Sequence, residues 1–125
     1  MAGSITISTL NNDTGVLATQ NGMTGIAKAW CNFSSVDGII VINSSFNISS
    51  VIYLAQGRYT INFTTGMPNA NYAAVFGAQD LTTGAEFLSG TASGTKTTTA
   101  FQITSWNYNG VVINTPGAYV AIFSS

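Results

Sequence analysis

The sequence predicts an all-β fold, a compact antiparallel β-sandwich of about eight short strands with an extended N-terminal arm. Three observations carry this expectation. From residue 26 onward, short apolar segments rich in β-branched and aromatic residues alternate with Gly, Asn, Asp and Pro, which is how strands and turns succeed one another. No segment sustains a helical period over the ~12 residues at which an isolated helix becomes credible. Finally, 46% of the 125 residues are hydrophobic and only 6% are charged, so the chain has ample material for a core.

Residues 1–25 are polar and rich in Thr, Asn and Gly, and read as an extended arm or the end of a stalk. Ile5, Ile7 and Leu10 suggest a brief strand there, and a short helix over 16–20 is the one helical alternative. Residues 26–125 form the single β-domain. Its candidate strands are 26–33, 39–42, 46–54, 58–64, 72–78, 97–106, 111–114 and 118–123. The clearest is 58–64, where Tyr59, Ile61 and Phe63 point to one side and Arg58, Thr60 and Asn62 to the other. Segments 73–76 and 119–123 are apolar on both sides, so one side suits the core and the other a neighbouring subunit. Asn109-Gly110 suits a tight hairpin, Met67-Pro68-Asn69 a bend, and Thr115-Pro116-Gly117 the entry to the last strand. The order suggests consecutive antiparallel hairpins. A polar excursion over 79–99 contains Asp80, Gly84, Glu86, Gly90 and Gly94, with Phe87 and Leu88 as its large apolar pair; a short hairpin and exposed loops are expected there.

The cations are Lys28, Arg58 and Lys96, the anions Asp13, Asp37, Asp80 and Glu86, and the net charge is −1. No basic stripe exists to follow a phosphate backbone, so nucleic acid is not an expected partner. So few charges do little to oppose association, which favours an oligomer. Cys31 is the lone cysteine and histidine is absent, which excludes an internal disulfide and a Cys/His zinc site; no cofactor is expected and stability must come from packing. No basic segment followed by an apolar one opens the chain, and no stretch approaches the ~18 apolar residues of a membrane helix, so neither signal-directed secretion nor membrane insertion is expected.

An enzyme is not expected. Any Ser nucleophile lacks a His to take its proton, Cys31 lacks a His to hold it as thiolate, and no glycine-rich loop ends in Lys-Ser or Lys-Thr. Only glycoside hydrolysis, which needs two carboxyl groups, leaves a pair to name, Asp80 and Glu86; their plainer reading is a solvated loop. Sequons at Asn12, Asn32, Asn43, Asn47 and Asn62 are the chance product of a chain rich in Asn, Ser and Thr.

Ala27-Lys28-Ala29-Trp30-Cys31-Asn32-Phe33, then Ser45-Phe46-Asn47-Ile48-Ser49-Ser50, Gly57-Arg58-Tyr59-Thr60-Ile61-Asn62-Phe63-Thr64, Met67-Pro68-Asn69-Ala70-Asn71-Tyr72 and finally Tyr119-Val120-Ala121-Ile122-Phe123 form an ordered set spanning nearly everything after the arm. This set resembles the C-terminal domain of phage tail fibre proteins. The resemblance implies a trimeric fibre tip in the virion, with exposed loops that contact the bacterial surface and an arm that joins other tail or fibre proteins. Cys31 departs from the Val expected at its position, a change a buried thiol tolerates. The long shaft expected of that family does not precede the motifs here, which fits either an excised tip domain or a small virion component that only borrows the fold, such as a head fibre or tail-tip adaptor.

For a receptor, a bacterial surface glycan, the candidate contact residues are Trp106, Asn107, Tyr108 and Asn109, with Asp80 and Glu86 in a second loop. Aromatic faces stack on the C–H surfaces of sugars and neighbouring amides hydrogen-bond hydroxyls. The same aromatic residues also suit the flanks of a hairpin. Trp30 is expected in the core or at the trimer interface. A purely structural role, capping a fibre or joining virion proteins without receptor contact, is the alternative function.

Overall fold

The computed structural model describes residues 26–79, 86–90 and 96–124. The expected arm, the short strand and helix within it, and Asp80 lie outside the described residues. Eight strands follow in order: β1 (Ala29–Val36), β2 (Ile39–Phe46), β3 (Ile48–Ala55), β4 (Arg58–Phe63), β5 (Ala73–Ala78), β6 (Glu86–Gly90), β7 (Ala100–Asn107) and β8 (Ala118–Phe123). They form two antiparallel four-stranded sheets, ordered β2-β1-β8-β5 and β3-β4-β7-β6, here called sheets A and B. No helix occurs among the described residues.

Alternation builds the core. Sheet A turns Ala29, Cys31, Phe33, Ala118, Val120 and Ile122 inward, and sheet B answers with Val51, Tyr59, Ile61, Phe63, Phe101 and Ile103, all buried in one cluster. The sheets meet through rings: Phe33 of β1 contacts Tyr59 of β4 edge-on at 5.3 Å, and Phe76 of β5 stacks on Phe101 of β7 at 5.9 Å. Such pairs add to the burial of their own area. Tyr72 closes one end of the core. Its hydroxyl donates to the carbonyls of Thr97 and Ala100, while Lys96 donates to its carbonyl oxygen and sits 4.5 Å from its ring centroid.

Several sequence expectations are corrected. Hairpins join β1 to β2, β3 to β4 and β6 to β7, but elsewhere the chain crosses between sheets, so it is not a run of consecutive hairpins. The expected strand at 111–114 is not a regular strand. It returns along β7 with a single bridge, Trp106 to Val112, made by Ile113 N donating to Ser105 O at 3.1 Å and Asn107 N donating to Val111 O at 2.9 Å. The excursion over 79–99 contains a regular edge strand, β6, which pairs Phe87 with Trp106 and Leu88 with Ser105. Strand β2 also runs past the expected end at Ile42. A bulge that skips Asn43 lets Ser44, Ser45 and Phe46 continue the ladder opposite Asn32, Cys31 and Trp30.

The β1–β2 turn was missed by the sequence reading although its signal is plain. Asp37 and Gly38 both have positive φ, 52° and 81°, the pair of conformations that a two-residue type I′ hairpin requires.

Asn47 forms the corner where the chain leaves sheet A for sheet B. Its φ is 56°, a left-handed conformation that Asn tolerates better than most residues. Its side-chain amide donates to the carbonyls of Lys28 at 2.9 Å and Thr65 at 3.0 Å, and its Oδ1 accepts from Thr65 N at 2.7 Å. One side chain therefore ties the start of β1 and the segment after β4 to the corner. Asn47→Ala is expected to cost about 3 kcal/mol, through three lost bonds and the strained φ; Asn47→Gly, which keeps the φ, is expected to cost about 2 kcal/mol. Urea denaturation of both variants measures the two contributions.

Candidate functional site

The two outer faces of the sandwich differ in chemistry. The four strands of sheet A contain no charged residue, whereas sheet B carries Arg58 on the outer side of β4. Cross-strand pairing places Phe46, Trp30, Ala121 and Val75 in one row across the outside of sheet A, from edge to edge. Trp30 is 38% exposed, Phe46 41% and Val75 56%, so large apolar side chains stand in water on every strand but β8 in this row. The next row contains Tyr119 and Gly77. The Tyr119 ring lies beside Gly77, and its phenol donates to Gln79 Oε1 at 2.9 Å.

Small residues between large ones leave a shallow apolar depression of about 360 Å³, bordered by Trp30, Asn32, Val75, Gly77, Tyr119 and Ala121. Trp30 is therefore not in the core. It stands on the outer face, as strand parity with buried Ala29 and Cys31 requires. The outside of sheet B is more polar: Ser50 pairs with Asn62, Ile52 with Thr60, and Thr60 with Gln102. Asn62 Nδ2 also donates to Ser50 Oγ at 2.9 Å.

At the other edge of sheet B lie the aromatic residues singled out from the sequence. Trp106 faces Phe87 across β6 and β7, with the ring planes 13° apart and the centroids 6.5 Å apart. The indole Nε1 donates to Ser89 Oγ at 2.7 Å, which fixes the ring's orientation. Beyond Trp106 the chain turns. Asn107 O accepts from Gly110 N at 3.0 Å, and Gly110 has a φ of 76°, so Asn109-Gly110 lies in a turn closed by a left-handed glycine.

Within this turn the candidate residues have different roles. Asn107 Oδ1 accepts from the backbone of Asn109 and Val111, both at 3.0 Å, so it serves the turn and is not available to a hydroxyl donor. Tyr108 is 65% exposed at the tip. Glu86 begins β6, and with Asp80 outside the described residues the pair has no measured separation. Phe87 is the residue that sequence reasoning did not join to Trp106. Only the register between β6 and β7 brings them together.

No group of three or more metal-ligating side chains occurs among the described residues, and no helix among them is long and apolar enough to cross a membrane. Cys31 is buried, and desolvation pushes its thiol up from 9.0 to about 12; burial likewise raises the Tyr72 phenol from 10.0 to about 12. The folded chain holds both protons more tightly than the unfolded chain does. This contribution to stability is thus fully present below pH 9 and is lost as pH rises through 12. Urea midpoints are expected to fall across that window, and Cys31→Val is expected to remove the part that begins near pH 9. In native protein the thiol is expected to resist alkylation until the chain unfolds.

The chain matches no protein-family model, no curated protein and no solved structure.

Proposed function

We propose that the chain is the tip domain of a phage tail fibre, assembled as a homotrimer in the virion, which attaches the particle to its host by binding a surface glycan. In this reading residues 1–25 join the tip to other tail or fibre proteins. The observation that carries it is the outer face of sheet A: four strands without a charge, with Trp30, Phe46, Val75 and Tyr119 exposed on them. A monomer in water gains nothing from such a face, whereas a neighbouring copy that covers it removes the apolar area from solvent. Its edge strands, β2 and β5, also lack the charges and prolines that usually keep an open sheet from pairing. The ordered motifs from Ala27 to Phe123 supply the resemblance to fibre tips, and the end formed by exposed Phe87 and Tyr108 with half-buried Trp106 supplies a surface suited to a receptor.

A second reading rests on the same face. A trimer that registers three chains and caps a fibre, or adapts one virion protein to another, needs the apolar surface and no receptor site. Binding of fluorescently labelled protein to intact candidate host cells, with the mass in the same preparation measured by light scattering, separates the two. Saturable binding by a trimer supports attachment, and three linked weak sites account for its avidity. A trimer that ignores susceptible cells supports the structural role. A monomer at micromolar concentration overturns both.

A further inference from the structure

We propose that Phe87 and Trp106 form a stacking platform for the apolar face of one pyranose ring of the receptor polysaccharide, with Ser89 as its polar companion. The inference rests on the attachment reading above and assigns the contact to the face of sheet B instead of the amides of the turn.

Three features of the site support this. First, the two rings are stacked as a cross-strand pair, their planes 13° apart and their centroids 6.5 Å apart, so they present parallel aromatic surfaces at the edge of sheet B. Aromatic side chains that serve only a core are buried; Phe87 remains 48% exposed on an edge strand. Second, the platform is rigid. Trp106 is held on one side by the β6 ladder, on the other by the bridge to Val112, and at its indole nitrogen by Ser89. A ring already fixed in place loses little freedom when a ligand stacks on it. Third, Ser89 Oγ accepts the indole proton, which leaves its own O–H to donate to a ring or hydroxyl oxygen beside the platform.

The alternative contact, Asn107, has its side-chain oxygen committed to two backbone donors. The ligand class follows from the surface: a neutral pyranose whose ring C–H bonds gather on one face, as in the gluco and galacto configurations. The partial negative charge of an aromatic face attracts such C–H groups.

The test uses full-length protein with Trp30→Phe, so that Trp106 is the only tryptophan, and light scattering to verify that its mass is unchanged. Titration with methyl β-glucopyranoside and methyl β-galactopyranoside is expected to shift Trp106 emission at millimolar sugar. Phe87→Ala is expected to weaken that response about tenfold and to reduce adsorption of the protein to host cells, while Phe87→Tyr restores both. A sugar response that Phe87→Ala leaves unchanged, or cell binding that persists undiminished in Phe87→Ala, overturns the platform and leaves attachment standing. A Phe87-dependent sugar response in a protein that binds no susceptible cell supports the platform and overturns the attachment reading. No response to either sugar by a protein that binds cells overturns the pyranose assignment.

Discussion

Gly57→Ala is expected to destabilise the fold by about 3 kcal/mol or more, the largest loss of any single-methyl addition considered for this chain. Gly57 closes the β3–β4 turn with a φ of 65°. A Cβ there would lie 2.4 Å from the carbonyl oxygen of Ile113 and 2.6 Å from Val112 Cγ1. The first of these is backbone, and it cannot rotate away. Displacing it would disturb a knot of hydrogen bonds: Gly57 N donates to Asn114 Oδ1 at 2.8 Å, Ser105 N to Gly57 O at 2.8 Å, and Thr115 N to Tyr59 Oη at 3.2 Å. The same knot holds the return segment that supports Trp106.

Gly110→Ala provides the control. Its φ of 76° imposes the same left-handed conformation, but nothing lies within 4 Å of a Cβ at that site. It is expected to cost about 1 kcal/mol, from conformation alone. Urea midpoints of the two variants measure how much of the Gly57 loss is steric. Equal losses would show that the contact with Ile113 yields easily and that only the backbone angle matters.

Gly57 also illustrates what the sequence could express. As one letter it reads as a turn residue between two strands; its contact with Ile113, 56 positions along the chain, depends on tertiary packing. The class of fold was legible because alternation is local. Tyr59, Ile61 and Phe63 announce an inward face by themselves, and all three are buried. Strand β2 was legible only to Ile42 because Asn43, Ser44 and Ser45 break the apolar pattern; the bonds that continue the strand belong to the backbone, and the bulge at Asn43 resets its parity. The reverse holds at Val111, Val112 and Ile113. Their side chains resemble a strand, but the segment meets β7 through one bridge, and Asn114 just beyond it accepts from Gly57 N.

The candidate site was legible to a similar degree and for the same reason. Trp106 and Tyr108 stand out as large aromatic residues beside a turn. Phe87 belongs with Trp106 only through the register of β6 on β7, and register is a property of pairs of strands. Likewise, the two-sided apolar character of β5 and β8 was visible, but the row from Phe46 through Trp30 and Ala121 to Val75 required the strand order of sheet A.

If the proposed trimer forms through the outer face of sheet A, Val75→Asp is expected to convert it to monomers, weakening association by at least about 100-fold, while the fold persists. Val75 projects from the edge strand β5 away from the core and is 56% exposed, so a carboxylate there remains hydrated in the isolated chain. Covering it with a second copy would strip that water without supplying a cation, since no strand of sheet A contains one. Burying an unpaired charge costs about 3–5 kcal/mol, which exceeds the gain from the apolar area a single valine contributes. Ile52→Asp is the matching control. Ile52 is 48% exposed on the outside of sheet B, beside Thr60, and its replacement is expected to leave the mass unchanged. Sedimentation or light scattering reads the mass, and a retained β-type circular dichroism spectrum with one cooperative urea transition verifies the fold of the monomeric variant, whose midpoint falls only by the stabilisation that association supplied. Dissociation by Ile52→Asp with Val75→Asp still assembled would move the interface to sheet B, and the aromatic pair at Phe87 and Trp106 would then lie on the surface that the subunits bury.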